Sequence, residues 1–163
     1  MKQLSLDGLN FSTTEVNIKN KIMTITLDRP EKKNAMNNVM INEINYLLAY
    51  AKQEKDIRVV VFAANGDIFC AGADLSRTES KSNVPRLENS DDISLSLRHL
   101  YKPVICKIQG PVLAGALLIV SNATHAIAVD EATFSAPEIH RGLWPFMVMA
   151  GLFRVMPKRA GLD

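Results

Sequence analysis

Apolar and polar positions alternate from Met23 to Leu27, with Thr24 and Thr26 between them, which is the period of a half-buried strand. Val16 and Ile18 repeat the pattern ahead of Asn20-Lys21, so a hairpin is predicted over residues 15–27. Asp28-Arg29-Pro30 breaks the strand, and a polar loop runs to Asn38. The period then lengthens: Met40, Ile44, Leu47, Leu48 and Ala51 mark an amphipathic helix ending near Lys55, with Glu43, Glu54 and Asp56 on its outer surface. Val59 to Phe62 is a short β-branched run, the pattern of a strand buried on both faces. Asn65-Gly66-Asp67 reads as a turn, and Phe69 to Leu75 leads into another.

Residues 76–92 carry few apolar side chains beyond Val84 and Leu87, which predicts a mobile excursion that adds little to the core. Leu95 to Tyr101 has helical spacing and stops before Pro103. A second buried strand is expected at Val104 to Ile108, then Gly110-Pro111 and an apolar helix over roughly 114–123. Ala126 to Val129 and Thr133-Phe134 are further strand candidates. Phe146, Met149, Ala150 and Phe153 define a last amphipathic helix, over about 145–156. Strand, turn and helix recur at 59–75 and 104–123, so the expected fold is α/β with parallel pairing, in one domain spanning 1–163.

Composition narrows the function classes. The 163 residues are 47% hydrophobic and 22% charged, ordinary for a globular chain, and a net charge of +2 gives no support for nucleic-acid binding. Cys70 and Cys106 stand alone without metal-ligand spacing, and no motif calls for a metal, flavin or nicotinamide. Residues 1–15 lack the apolar core of a signal peptide, and the longest apolar stretch, Pro111 to Val120, is too short to cross a bilayer. A cytoplasmic setting with reduced thiols is expected, although pairing of the two cysteines stays open.

Three positions carry candidate chemistry. Gly115 lies between two alanines where a strand passes into a helix, so a ligand can approach the backbone and unpaired N–H groups can meet an oxyanion. The alternative is tight helix packing. Ala71-Gly72-Ala73 offers a second set of backbone donors, or merely a turn with glycine at positive φ. Glu138, after Pro137 and before Ile139, is either a carboxylate desolvated by apolar neighbours and suited to proton transfer, or an exposed loop glutamate. His140 is two residues away and can orient it or lie on the surface; His99 and His125 have no nucleophile at a telling spacing.

The ordered set of Ile25 to Pro30, Asn34-Ala35-Met36, Phe69 to Leu75, Lys102 to Ile105, Gly110 to Ala116, Phe134 to Ile139 and Gly142 to Pro145 resembles the crotonase family, the enoyl-CoA hydratases and isomerases. The resemblance runs from about residue 15 onward. It implies a spiral of ββα units, with Ala73 and Gly115 N–H groups as an oxyanion hole and Glu138 as acid and base. It also implies acyl-coenzyme A as substrate, the coenzyme being part of that substrate rather than a cofactor. Lys33, Ala35, Ala71, Gly72, Asp74, Leu75, Leu113, Pro137 and Trp144 would contact it, with Lys33 or Arg77 meeting phosphates. The second glutamate of the family's hydratases falls here on Leu118, leaving one carboxylate, which suits double-bond isomerisation while hydration stays open. The turn is Ala114-Gly115-Ala116, with Pro111 where an aromatic residue is common. By the same resemblance the helices that cap the acyl pocket and build a trimer would lie beyond Asp163, so apolar surface near 145–156 should be uncovered and a homo-oligomer is expected. The alternative is a non-catalytic acyl-CoA-binding remnant or an inactive fragment.

Overall fold

In the computed structural model, which describes residues 3–76, 82–87 and 92–161, Asn20 and Lys21 both take left-handed backbone conformations, φ 53° and 65°. Two such residues make the tight turn that matches strand twist, and the hairpin β1 (Thr14–Lys19) and β2 (Ile22–Leu27) closes across it in antiparallel register. From β2 onward the sheet is parallel: β3 (Val59–Ala64), β4 (Val104–Ile108) and β6 (His125–Ala128) follow in the order β1-β2-β3-β4-β6. The expected parallel α/β pairing is present.

Helix α1 (Asn38–Gln53) crosses from β2 to β3. Its N-terminus is capped by the Asn37 side chain, which accepts from Met40 N–H at 2.9 Å. At its C-terminal end the Lys102 ammonium donates to the Ala51 and Glu54 carbonyls, a cation where the helix dipole is negative. Met40, Ile44, Leu47, Leu48 and Ala51 pack on alternate strand residues, the rows Met23–Val60–Val104 and Ile25–Phe62–Cys106.

Several expectations change. The strand β3 is buried on one face only: Val60 and Phe62 are fully buried, whereas Val59 and Val61 are half-buried, because α1 covers a single side of the sheet. Glu43 is not on the surface of α1 but is 0% exposed. Its carboxylate accepts from Thr13 N–H (3.1 Å) and hydroxyl (2.6 Å), Ser12 N–H (2.8 Å) and the Thr14 hydroxyl (3.0 Å), so these donors replace water and tie the N-terminal segment to the helix. Within the stretch expected to stand off from the core, Val84 is buried and its carbonyl accepts from the Asn42 amide at 3.0 Å. Residues 77–81 and 88–91 of that stretch, with Arg77, lie outside the described residues.

Helix α2 (Ile93–Arg98) ends earlier than its spacing suggested; Tyr101 takes φ 56° ahead of the Lys102-Pro103 step. A second, two-stranded parallel sheet, β5 (Val112–Leu113) with β7 (Phe134–Ser135), stands beyond the C-terminal ends of the large sheet. The apolar helix after β5 begins as a single 3-10 turn at Ala114–Ala116 and continues as α3 (Leu117–Asn122). The last helix, α4 (Phe146–Leu152), packs on α3 through Gly151, where an added Cβ would come within 2.6 Å of Ser121 Oγ.

Candidate active site

One register row organises the site. Cys70 bridges Val112 in parallel, and Val112 pairs with Phe134 in parallel. Parallel neighbours leave the sheet at the same end, so residues three or four past each member emerge together: Ala73 after Cys70, Gly115 after Val112, and Glu138 after Phe134. The Ala73 and Gly115 turns, far apart in the chain, are thereby brought into contact, and the Glu138 turn follows the third member of the same row.

The two donor turns are in contact. A Cβ built on Gly115 would lie 3.8 Å from the Ala73 nitrogen, and one built on Gly72 would lie 3.0 Å from the Gly115 nitrogen and 2.9 Å from the Leu113 carbonyl oxygen. Gly72 has φ 86°, so both its backbone conformation and this close approach require glycine. Ala73 bridges Met36, and the ladder bonds are made by the flanking residues: Met36 N–H donates to the Gly72 carbonyl (2.8 Å), and Asp74 N–H donates to the Met36 carbonyl (2.9 Å). The Ala73 N–H therefore points away from that ladder. Among the described residues, neither the Ala73 nor the Gly115 N–H meets an acceptor. At the second turn the left-handed residue is Ala114, φ 52°, and Gly115 itself needs no special conformation.

Beneath the turns lies a polar framework that sequence reasoning missed. Arg29, 5% exposed, donates from Nη1 to Asp74 Oδ2 at 2.9 Å and to the Ala35 carbonyl. It thus pins together two segments expected to line the substrate. Asn34 is fully buried: its Oδ1 accepts from Arg29 N–H at 2.8 Å, and its amide donates to the Asn65 and Ile68 carbonyls at 2.8 and 2.9 Å. Both stand in motifs of the family resemblance, Ile25 to Pro30 and Asn34-Ala35-Met36, but neither motif declared a structural role for them.

Asp74 turns its carboxylate inward, onto Ser76 as well as Arg29. Hydrogen bonds from the Ser76 hydroxyl and N–H, then from Arg29, hold its pKa down to about 2. Cys70 Sγ donates to the Asn34 carbonyl at 3.0 Å, and burial pushes its thiol up to about 12, so it is a structural group without thiolate reactivity. Cys106 is likewise free, buried and pushed up to about 12, and no disulfide joins the two.

Glu138 sits in a 3-10 turn, Pro137–Arg141, closed by Gly142 at φ 69°. The residue is half-buried, and its Oε2 is inaccessible to solvent without a hydrogen-bond partner among the described residues. A shielded carboxylate oxygen with unspent acceptor capacity is what a proton-transfer base presents before substrate arrives. His140 is exposed, and no described hydrogen bond links it to Glu138.

The remaining candidates divide. Ala35, Ala71, Leu113 and Pro137 are half-buried around the turns. Lys33 is exposed at φ 54°, and its carbonyl accepts from Ala71 N–H, which sets its backbone beside the first donor turn. Leu75 and Trp144 are exposed by 69% and 56%, and Trp144 lies against Phe146 with ring centroids 6.3 Å apart. Leu118 faces α4: its Cδ2 is 3.5 Å from where a Gly151 Cβ would stand. Among the described residues no group of three or more His, Cys, Asp or Glu is placed to hold a metal ion, and no helix is long and apolar enough to cross a membrane.

The same fold recurs in solved structures. An enoyl-CoA hydratase/isomerase from Mycobacterium paratuberculosis superposes with TM-score 0.82 at 26% identity, over 94% of this chain and 61% of that one. An enoyl-CoA hydratase from Shewanella pealeana gives 0.74 at 28% identity, over 92% and 59%. Among curated proteins, one named a probable enoyl-CoA hydratase in Mycobacterium bovis is 32% identical over 154 residues, 86% of this chain and 52% of that protein. A trans-2-decenoyl-[acyl-carrier-protein] isomerase of Streptococcus mutans is 31% identical over 144 residues, 84% and 55% respectively. The chain therefore spans about half the length of these curated relatives. A profile described as enoyl-CoA hydratase/isomerase matches residues 17–162. With that profile spanning the donor turns and the Glu138 turn alike, the chain belongs to the enoyl-CoA hydratase/isomerase family.

Proposed function

We propose that the chain processes acyl-coenzyme A thioesters by proton transfer at carbon next to the thioester carbonyl. The supporting observation is the shared row of Cys70, Val112 and Phe134, which sends two unpaired backbone N–H groups and one shielded carboxylate out of the same sheet edge. The Ala73 and Gly115 N–H groups bind the thioester oxygen and hold the negative charge that develops as the enolate forms. Glu138 removes the proton and returns one to a different carbon. Coenzyme A enters as part of the substrate, passing Ala35, Ala71, Asp74 and Leu75, with Lys33 near its phosphates; no separate cofactor takes part.

Leu118 favours isomerisation over hydration. Hydration by two carboxylates needs a second acid or base beside the water, and Leu118 is engaged with α4 at that position. The same reading places the protein in the cytoplasm as a homo-oligomer, trimer-based where capping helices are present.

The test is turnover of crotonyl-CoA and of a 3-enoyl-CoA, with products separated by mass and retention. Double-bond migration in the wild type, reduced about 10²–10⁴-fold in Glu138→Gln, is the expected result. Near-normal turnover by that variant would overturn the assigned role. A folded chain that binds acyl-CoA without turnover would support a non-catalytic acyl-CoA-binding protein.

A further inference from the structure

The N-terminal ends of β4 and β6 face away from the candidate acyl site, and there the surface holds a shallow, open cleft of about 500 Å³. Arg98, Lys102 and Arg154 line it together with Tyr101, Asn122 and Thr124, and no carboxylate does. The cations are not equivalent. The Lys102 ammonium is committed to the carbonyls at the end of α1 and contributes charge alone. Arg98 is braced from the side, its Nε donating to Asn122 Oδ1 at 2.8 Å, which orients the guanidinium plane. Among the described residues neither Arg98 nor Arg154 has a carboxylate partner. Tyr101 stands at the rim, 82% exposed and at φ 56°, with Lys52 Nζ 5.6 Å from its ring centroid. A bulky aromatic residue in the left-handed region is a strained arrangement of the kind that gathers at binding sites.

We propose that this cleft binds a phosphate-bearing small molecule, with Arg98 and Arg154 engaging the phosphate oxygens. Guanidinium forks match phosphate oxygens two at a time and stay protonated at all working pH values. The cleft wall carries positive charge and no carboxylate, which favours anions over cations. Glu54 is the one carboxylate acting on Lys102, and it does not line the cleft. The proposal is independent of the chemistry assigned to Glu138.

The experiment is titration calorimetry on the full 163-residue chain with pyrophosphate, ADP and adenosine, repeated with saturating acyl-CoA. Pyrophosphate and ADP are expected to bind with affinity that falls as salt rises, and adenosine is expected to give no heat. Arg98→Ala and Arg154→Ala should each weaken both phosphate ligands by about tenfold or more, and Arg154→Lys by less, because it keeps the charge and loses the fork. Tighter binding of ADP than of pyrophosphate assigns the site to a nucleotide; the reverse assigns it to free pyrophosphate. Absence of heat with both phosphate ligands, equal affinity in the arginine variants, or displacement by acyl-CoA that is undiminished in the arginine variants would each overturn the proposal, the last by moving the binding to the acyl site.

Discussion

The two sides of the candidate active site are built on different foundations. The Ala73 turn rests on a buried polar framework in which Arg29, Asn34 and Asp74 link three segments of chain, and on strands whose inward residues are fully buried. The glutamate side rests on a two-residue pairing of β5 with β7, beside β6, whose four residues are all exposed. Phe134, Ile139, Leu143, Trp144, Phe146 and Val155 are exposed around it. The proposed oxyanion donors would need positions fixed to a fraction of an ångström, and the Ala73 turn lies where many contacts agree on one geometry. The apolar surface around Glu138 is the kind that lines a pocket once covered.

The contrast is sharpest in packing. Phe62→Ala should destabilise the chain by about 3–5 kcal/mol, because it empties the centre of the core. Phe146→Ala, at 75% exposure, should change stability by no more than about 0.5 kcal/mol. Denaturant unfolding of the two variants measures both, and equal losses would erase the distinction between the regions.

A polar probe of the same side comes next. Glu43→Ala orphans the Thr13 N–H and neighbouring hydroxyls and should cost about 3 kcal/mol, read as a lower denaturation midpoint at unchanged slope. An unaffected midpoint would mean that the N-terminal segment is held by other contacts.

Acid should loosen the donor side as well. The folded-state pKa of Asp74, about 2, is depressed, so its stabilising effect is complete above the ordinary carboxylate value and is lost as pH falls from about 4 toward 2. Asp74→Asn should flatten that part of the stability–pH curve. An unchanged slope would show that Asp74 binds its proton equally in the folded and unfolded chain.

A smaller gain is expected at the turn of Ala114. Replacement by glycine removes the cost of a methyl group at φ 52° and should stabilise the fold by about 1 kcal/mol, measured by thermal unfolding. Loss of stability would show instead that the Ala114 methyl contributes packing against Gly72 that outweighs its strain.

Much of this molecule could be read from local pattern. Alternation at Met23 to Leu27 and the 3.6 period from Met40 to Ala51 predicted elements that the structure contains, because each depends on which face of a short segment meets the core. Gly72 declared its turn by residue type alone. Glu43 did not declare its burial: a carboxylate between apolar positions of a helix looks solvated until Ser12, Thr13 and Thr14 arrive from another segment. Arg29 and Asn34 belong to the family motifs but did not declare their bonding, since their partners at Asp74, Asn65 and Ile68 are distant in sequence.

Sequence by itself determined the α/β alternation, the hairpin, the positions of the glycine turns and, through the ordered motifs, the family. Those properties follow from local backbone preference and from the periodicity of apolar residues, both written within a few residues of each site. Only the tertiary structure decided that Cys70, Val112 and Phe134 share one row, and hence that Ala73, Gly115 and Glu138 leave the same edge. Parallel pairing joins segments separated by long crossovers, so its register is set by packing of the whole sheet and is encoded in no single stretch of chain.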